Sequence, residues 1–381
     1  MNAAAQPKTE RQPIDDEARA LQARLLDVVS RTFALTIPRL PGALVDVVGN
    51  AYLLCRIVDT IEDELPLDDD GREALYRRFN ACLQDDALAD PATRRQFATD
   101  IARLLPADAP EGERELTDCI PRVLDVTARF SADERRVLRR CVAVMTDGMG
   151  AFETLGANGR GLNDVAMLER YCYHVAGCVG EMLTELFCLH DEGVARRRDE
   201  LMPLSVAFGN GLQLTNILKD MWIDHQRGVC WLPADAFDLA AYPGQQPDGG
   251  PITLPRLMQK ALDDDADAIR LMDAGTRRLI GRCRAYLDDA MRYVVRIPSS
   301  KRGLRVFCLW SIGLSVLTLR KIRRDPVAAR RHGTRIARTS VKATLAFSDA
   351  SAGYGHVMRT LYAGACVGLP RAADGVRVRL R

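Results

Sequence analysis

Alternating strand-like patterns are nearly absent from the 381 residues, so helices must bury most of the core. The 11 cysteines include no Cys-x-x-Cys pair, and many lie in apolar runs (Cys55, Cys141, Cys172, Cys178, Cys308). They read as small core residues in a reducing compartment, not as a disulfide frame. The 5 histidines show no metal-ligand spacing. A net charge of +2 gives no global pointer to nucleic acid. The N-terminal stretch has no apolar core region, so it does not read as a signal peptide. The most apolar run near the C-terminus, VFCLWSIGLSVLTL, spans 14 residues before Arg320. A bilayer-spanning helix needs about 20, so a buried helix is expected. No internal repeat and no linker between two compositional halves stand out.

What is present is helical periodicity with hydrophobic residues at 47%. It predicts segments near 16–29, 42–64, 71–84, 91–105, 111–128, 132–155, 163–190, 197–224, 255–294, 300–322 and 326–363. Turn-forming stretches such as IPRLPG, LPLDDDG, TLGANGRG and AYPGQQPDGGPITLP separate them. The expectation is an all-α, single-domain bundle over 17–365. A flexible lead (1–16) precedes it and a basic tail (366–381) follows. From Arg320 to Lys342 there are nine Lys/Arg and one acid, Asp325, and four arginines fall in the last eleven residues. That basic stretch reads equally as a solvated face or as a phosphate or membrane-surface site.

Two aspartate pairs carry the chemistry. Asp59 and Asp63 lie in YLLCRIVDTIEDE with Glu62 between them, and Asp220 and Asp224 lie in QLTNILKDMWID. On a helix, positions i and i+4 share a face, and like charges there repel by a few tenths of a kcal/mol (~0.2–0.5). Two such pairs beside apolar residues invite a divalent cation bearing a phosphate-rich substrate. Tyr52, Arg56, Asp59 and Asp63 form one stripe. A purely structural alternative pairs Arg56 internally with Asp59 and Asp63. Gln213, Asn216, Asp220 and Asp224 repeat the geometry, with Lys219 alongside to meet phosphate oxygens. Such an arrangement suits Mg²⁺-assisted departure of a diphosphate, with the organic cation left behind in a dry apolar cavity that both segments line. Aromatic faces from Phe33, Tyr52, Tyr171, Tyr173 and Phe187 are available to a cation. Two other patterns carry less. GNGLQL lacks the third glycine and the preceding strand of a dinucleotide fingerprint. Asp263, Asp264 and Asp267 sit at a helix start, where acids suit the helix dipole.

SRTF (30–33), YLLCRIVDTIEDE (52–64), YCYHVAGCVGEMLTELF (171–187) and QLTNILKDMWID followed by RGVCWLP together resemble the squalene and phytoene synthase family, and are most similar to its squalene synthase branch. The resemblance runs from Ser30 into the 340s. It implies an isoprenoid-synthase bundle with a central cavity, two farnesyl diphosphates joined through presqualene diphosphate, and NADPH reduction to squalene. It implies that Asp59, Glu62, Asp63, Asp220 and Asp224 hold Mg²⁺ and diphosphate. It also implies that Ser30, Arg31 and Arg56 bind diphosphate oxygens, with Phe33 and Tyr52 beside the substrate. Gln213 and Asn216 would line a second site, Lys219 would meet diphosphate or nucleotide phosphate, and Tyr171 would transfer a proton. Asn216, Lys219, Arg335, Arg338 and Lys342 would face NADPH. Ala176, Gly177, Gly180 and Leu183 would contribute to the cavity floor. Ile223 stands where the squalene branch usually has an acid, and Val229 where bacterial relatives often carry a second Arg after RG. The membrane-spanning C-terminal helix of eukaryotic relatives is missing. Dehydrosqualene synthesis, a geranylgeranyl diphosphate substrate, a different prenyl acceptor and an inactive scaffold relative stay open. The expected location is cytoplasmic, with a hydrocarbon product suggesting contact with a membrane surface.

Overall fold

A computed structural model describes residues 11–30, 33–156, 160–243, 252–324 and 326–372. Among them the chain is helical without a strand, apart from an isolated bridge between Leu162 and Pro233. Aspartates start many of the helices. Asp15, Asp68, Asp90, Asp164, Asp191 and Asp265 each accept a backbone N–H of the first turn, meeting donors that the helix itself leaves bare.

The chain divides into two compact units, residues 1–150 with 182–198, and residues 151–181 with 199–381. In the first unit, Gly42–Asp63 is the central helix. It buries Leu44, Val47, Leu54, Ile57, Val58 and Ile61 and packs against Asp16–Val29, Glu111–Asp118 and Ile120–Ala128. Residues before the first helix are already held. The backbone N–H of Gln12 donates to the carbonyl of Arg129, Ile14 is buried, and Arg11 pairs with Asp46 and Glu134 at 3.1 Å each.

In the second unit, Ala266–Arg296 packs against Leu254–Leu262 and Arg302–Arg324. Its buried face carries Leu271, Leu279, Cys283, Tyr286, Leu287 and Val294. Arg302–Arg324 extends the 14-residue apolar run with charged residues at both ends. It is long and apolar enough to cross a bilayer, yet its most apolar window is 72% buried. The buried Arg305 there donates to the carbonyls of Ile297 at 2.9 Å and Ala352 at 3.0 Å. The carbonyls of Cys366 and Leu369 accept from Arg284, so the start of the basic tail lies against the Ala266–Arg296 helix.

Long periodic segments divide where local chemistry interrupts them. The 111–128 segment breaks at Cys119, ahead of Pro121. The 255–294 segment breaks at Asp263–Asp265, where Asp264 adopts φ 63° and its carboxylate meets Arg330 at 3.0 Å and Arg331 at 2.7 Å. The 326–363 segment becomes Pro326–His332, Arg338–Ser351 and Gly355–Ala365. Gly333 ends the first of these with φ 68°, a left-handed conformation that glycine adopts without a Cβ clash.

Candidate active site

The first aspartate pair sits at the C-terminal end of Gly42–Asp63. Asp59 keeps 30% of its side-chain surface and Asp63 is exposed, while Glu62 is half-buried. Arg56 approaches Asp59 at 3.8 Å. Its main partner is Glu113, a residue that sequence reading did not select. The Arg56 Nε donates to Glu113 Oε1 at 2.9 Å and its Nη2 donates to the same oxygen. Thr60 donates to Glu113 Oε2 at 2.6 Å. Glu113 is 3% exposed, so this is a buried, hydrogen-bonded charge pair that fixes the guanidinium plane. The available signal was phase. Glu113 falls in step with the buried Leu116, Thr117 and Ile120, so it is a carboxylate on an apolar face.

Burial pushes the Asp59 carboxyl up to about 7. Arg56 opposes the shift, and the charges of Asp63 and Glu113 reinforce it. The charges of Asp63 and Glu113 thus act against the ionised form of Asp59, and Arg56 acts for it. On the same side, the Ser30 hydroxyl accepts the Phe33 backbone N–H at 3.0 Å. The Phe33 ring lies 5.2 Å from that of Tyr52, and the Tyr52 hydroxyl donates to the Val29 carbonyl at 3.3 Å. Burial raises the Tyr52 phenol above its ordinary value, and a hydrogen bond with Ser30 offsets part of that rise. The structure therefore gathers Ser30, Phe33, Tyr52, Arg56 and Asp59. Arg31 lies outside the described residues.

The second pair sits near the C-terminal end of Arg198–Gln226, with Gln213, Asn216, Lys219, Asp220 and Asp224 on the same helix. Gln213, Lys219, Asp220 and Asp224 are half-buried and Asn216 is exposed. Lys219 Nζ meets Asp220 Oδ2 at 2.9 Å, so this carboxylate already has a counter-charge. Ile223 is 40% exposed, and its Cδ1 lies beside the Gly333 turn. Arg335 and Arg338 follow that turn as exposed cations, with Lys342 one helical turn further on.

Tyr171 is 5% exposed. Its ring stacks on Trp231 at 4.1 Å, with planes 7° apart, and meets the edge of Phe152 at 5.9 Å. Trp231, from the RGVCWLP stretch, is the second residue that sequence reading passed over. A π-helical turn, Tyr173–Gly177, follows Tyr171, and such turns often mark functional positions. Gly177 and Gly180, expected at a cavity floor, stand where helices cross closely. A Cβ on Gly180 would stand 2.1 Å from the Ser205 carbonyl oxygen. On the facing helix, a Cβ on Gly209 would stand 2.1 Å from that of Ala176. These small residues let two helix backbones touch. GNGLQL lies within the Arg198–Gln226 helix, and Asp265 beside the DDxxD run is a helix cap that also accepts from Tyr242 at 2.9 Å.

The donor set fits Mg²⁺. Each helix offers two hard carboxylates one turn apart, and this ion completes its shell with waters and phosphate oxygens. Among the described residues, no three His, Cys, Asp or Glu side chains form a closed cluster, so substrate oxygens would have to share the ion. The raised Asp59 carboxyl is the structural feature on which such an ion would act, since a nearby cation favours the ionised form. For NADPH, the exposed Arg335 and Arg338 are suited to phosphate oxygens.

A family model described as squalene/phytoene synthase matches residues 26–341. A squalene synthase of Gibberella zeae is 28% identical over 60% of this chain and 46% of its own length. The squalene synthase BSS of Botryococcus braunii is 31% identical over 55% of this chain and 41% of its own. The matched part thus spans a little under half of these two curated relatives. In three dimensions, the complex of TcSQS with the ligand BPH1237 is similar at TM-score 0.73 and 19% identity, covering 92% of this chain and 91% of that one. That likeness bears on the fold.

Proposed function

Because the chain belongs to the squalene/phytoene synthase family, we propose that it joins two farnesyl diphosphates head to head through presqualene diphosphate and forms squalene. The observation that carries this reading is the family match together with squalene synthases as curated relatives. Two carboxylate pairs within the matched span support it.

Asp59 and Asp63, with Glu62 beside them, would hold Mg²⁺ at one site. Asp220 and Asp224 would hold it at the other. When bound, Mg²⁺ would neutralise the charge of a departing diphosphate, and NADPH would supply reducing hydride. The protein's own part is orientation and exclusion of water. Glu113 and Thr60 hold Arg56 in one plane, so its free edge can meet diphosphate oxygens in a fixed geometry. Lys219, held at 2.9 Å from Asp220, would meet phosphate oxygens beside that carboxylate. Ser30 and Tyr52 orient the entry side, and Phe33 lends an apolar wall. Tyr171 is held by ring stacking, so its hydroxyl can give or take a proton at a fixed place. Arg335 and Arg338, with Asn216 and Lys219, are the candidates for nucleotide phosphate.

The test is a product assay with purified protein, farnesyl diphosphate and Mg²⁺, with and without NADPH, read by mass spectrometry. Squalene formed only with NADPH is the expected result. Dehydrosqualene under both conditions would replace reduction with a non-reductive ending. No product from farnesyl diphosphate, with turnover of geranylgeranyl diphosphate, would overturn the substrate assignment.

A further inference from the structure

Ten large hydrophobic side chains are exposed among the described residues, and five of them fall within one short stretch: Phe347, Tyr354, Val357, Leu361 and Val367. Singly exposed apolar residues are ordinary, whereas a concentration of them marks a contact surface. They are carried by Arg338–Ser351, Gly355–Ala365 and the turn beyond. The two helices pack against each other and against Arg302–Arg324.

The division of faces on Gly355–Ala365 is clear. Met358 is buried and Tyr362 donates to Asp288 at 2.8 Å, while Cys366 just after the helix is buried too, so this side is committed to the core. Val357 and Leu361, four residues apart, share a separate, exposed stripe of the helix, and Tyr354 at its N-cap is exposed as well. The helix contains no acidic residue.

Charge identifies the occupant. From Arg330 to Arg371 there are seven Lys/Arg and one acid, Asp349. Arg338, Lys342, Arg359 and Arg371 are exposed. A second copy docked by two-fold symmetry would bring cations against cations. A bilayer with acidic headgroups offers the opposite charge at its surface and hydrocarbon just beneath it, the two environments this face requires. We propose that the exposed Val357–Leu361 stripe, with Tyr354 at the start of its helix, docks the protein on an anionic lipid surface. Docking is peripheral, since the helix behind this face, Arg302–Arg324, is itself buried. This docking does not depend on the reaction proposed above.

Vesicle flotation of the full chain tests it, comparing phosphatidylcholine vesicles with vesicles that also contain phosphatidylglycerol. The expected result is flotation with anionic vesicles only, weakening several-fold as salt screens the cations. The double variant Val357→Ser/Leu361→Ser should lose most of that flotation with an unchanged helical circular dichroism spectrum. Val28→Ser, which alters an exposed apolar residue elsewhere, should float like the parent. Should the double variant lose its helical spectrum, Tyr354→Ser alone provides the same comparison. Absence of flotation with anionic vesicles, or flotation unchanged in the face variants, would overturn the proposal. So would a dimer in solution that the double variant converts to monomer, which would assign the face to a second copy.

Discussion

The two aspartate helices use one sequence device under opposite electrostatic conditions. At Asp59 the nearest cation, Arg56, is claimed mainly by the buried Glu113, and burial drives the carboxyl up to about 7. At Asp220 the cation is a half-exposed lysine on the adjacent residue, at 2.9 Å. Beside the first pair stands a guanidinium fixed by hydrogen bonds, whereas at the second a flexible lysine meets Asp220. A rigid guanidinium can fix the position of a diphosphate, while a mobile ammonium can follow one that changes shape. A repeated motif therefore does not imply two equivalent sites.

Removing one carboxylate from either pair breaks the comparison most strongly. Asp59→Asn and Asp220→Asn should each lower turnover by about 10³-fold, the scale on which removal of preorganised charge stabilisation acts, with the helical spectrum unchanged. Steady-state rates on farnesyl diphosphate across a Mg²⁺ titration check this. Parent-like rates in either variant would remove that pair from the metal site.

Glu113→Gln should separate the two regions. It leaves the half-buried Arg56 beside a neutral amide, and breaking a fully buried ion pair on one side costs about 3–5 kcal/mol, an upper bound here. The variant should unfold at a clearly lower temperature and lose about 10–100-fold in kcat/KM, in part because Arg56 is then free to pair with Asp59. Glu113→Asp should recover some of both. The corresponding change on the second helix, Lys219→Met, should leave the melting temperature nearly unchanged, since exposed pairs contribute about 0–1 kcal/mol. Equal thermal losses in the two variants would erase the distinction.

The pH dependence sharpens it further. Burial raises the folded-state value of Asp59 to about 7, whereas an unfolded aspartate titrates near 3.9. The folded protein therefore binds the extra proton between those values. The stability this group contributes is complete below about pH 4 and is lost as pH rises through 7. In metal-free buffer, chemical denaturation should show parent stability falling over that window relative to Asp59→Asn. Mg²⁺ should reduce the fall by supplying the missing positive charge. Asp220→Asn should retain the parent slope.

Much of this was legible in the sequence, for reasons that particular residues make plain. The Asp16–Val29 and Gly42–Asp63 helices were read to within a residue because a capping aspartate marks the start of the first, the IPRLPG turn precedes the second, and the apolar period runs through both. The breaks at Cys119 and at Asp263–Asp265 were missed because periodicity continues on both sides of a short local interruption. Both aspartate helices were found because the i, i+4 spacing is a one-dimensional signal. Glu113 was passed over because its partner, Arg56, is 57 residues away and only tertiary packing brings them together. Trp231 escaped notice for the same reason, its stack on Tyr171 joining two distant loops and helices. The close helix crossing at Gly180 was not read because a small residue serves a cavity or a crossing equally well, and sequence does not distinguish them.

The smallest expected effect concerns Ile223. Its side chain is 40% exposed one residue before Asp224 and lies against the Gly333 turn. Ile223→Glu would place a third carboxylate beside Asp220 and Asp224 without emptying a packed core position. Repulsion within the helix costs a few tenths of a kcal/mol, about 0.2–0.5, so folding should tolerate it. If the second helix binds Mg²⁺ through its charge, the variant should need several-fold less Mg²⁺ for half-maximal rate while kcat changes little. The equivalent position on the first helix, Glu62, already carries an acid, so Glu62→Ile should shift the Mg²⁺ requirement in the opposite direction. Rates measured across a Mg²⁺ titration in both variants decide the matter. Shifts of opposite sign would tie the difference between the two helices to this one position, and no shift in either would place it outside the metal environment.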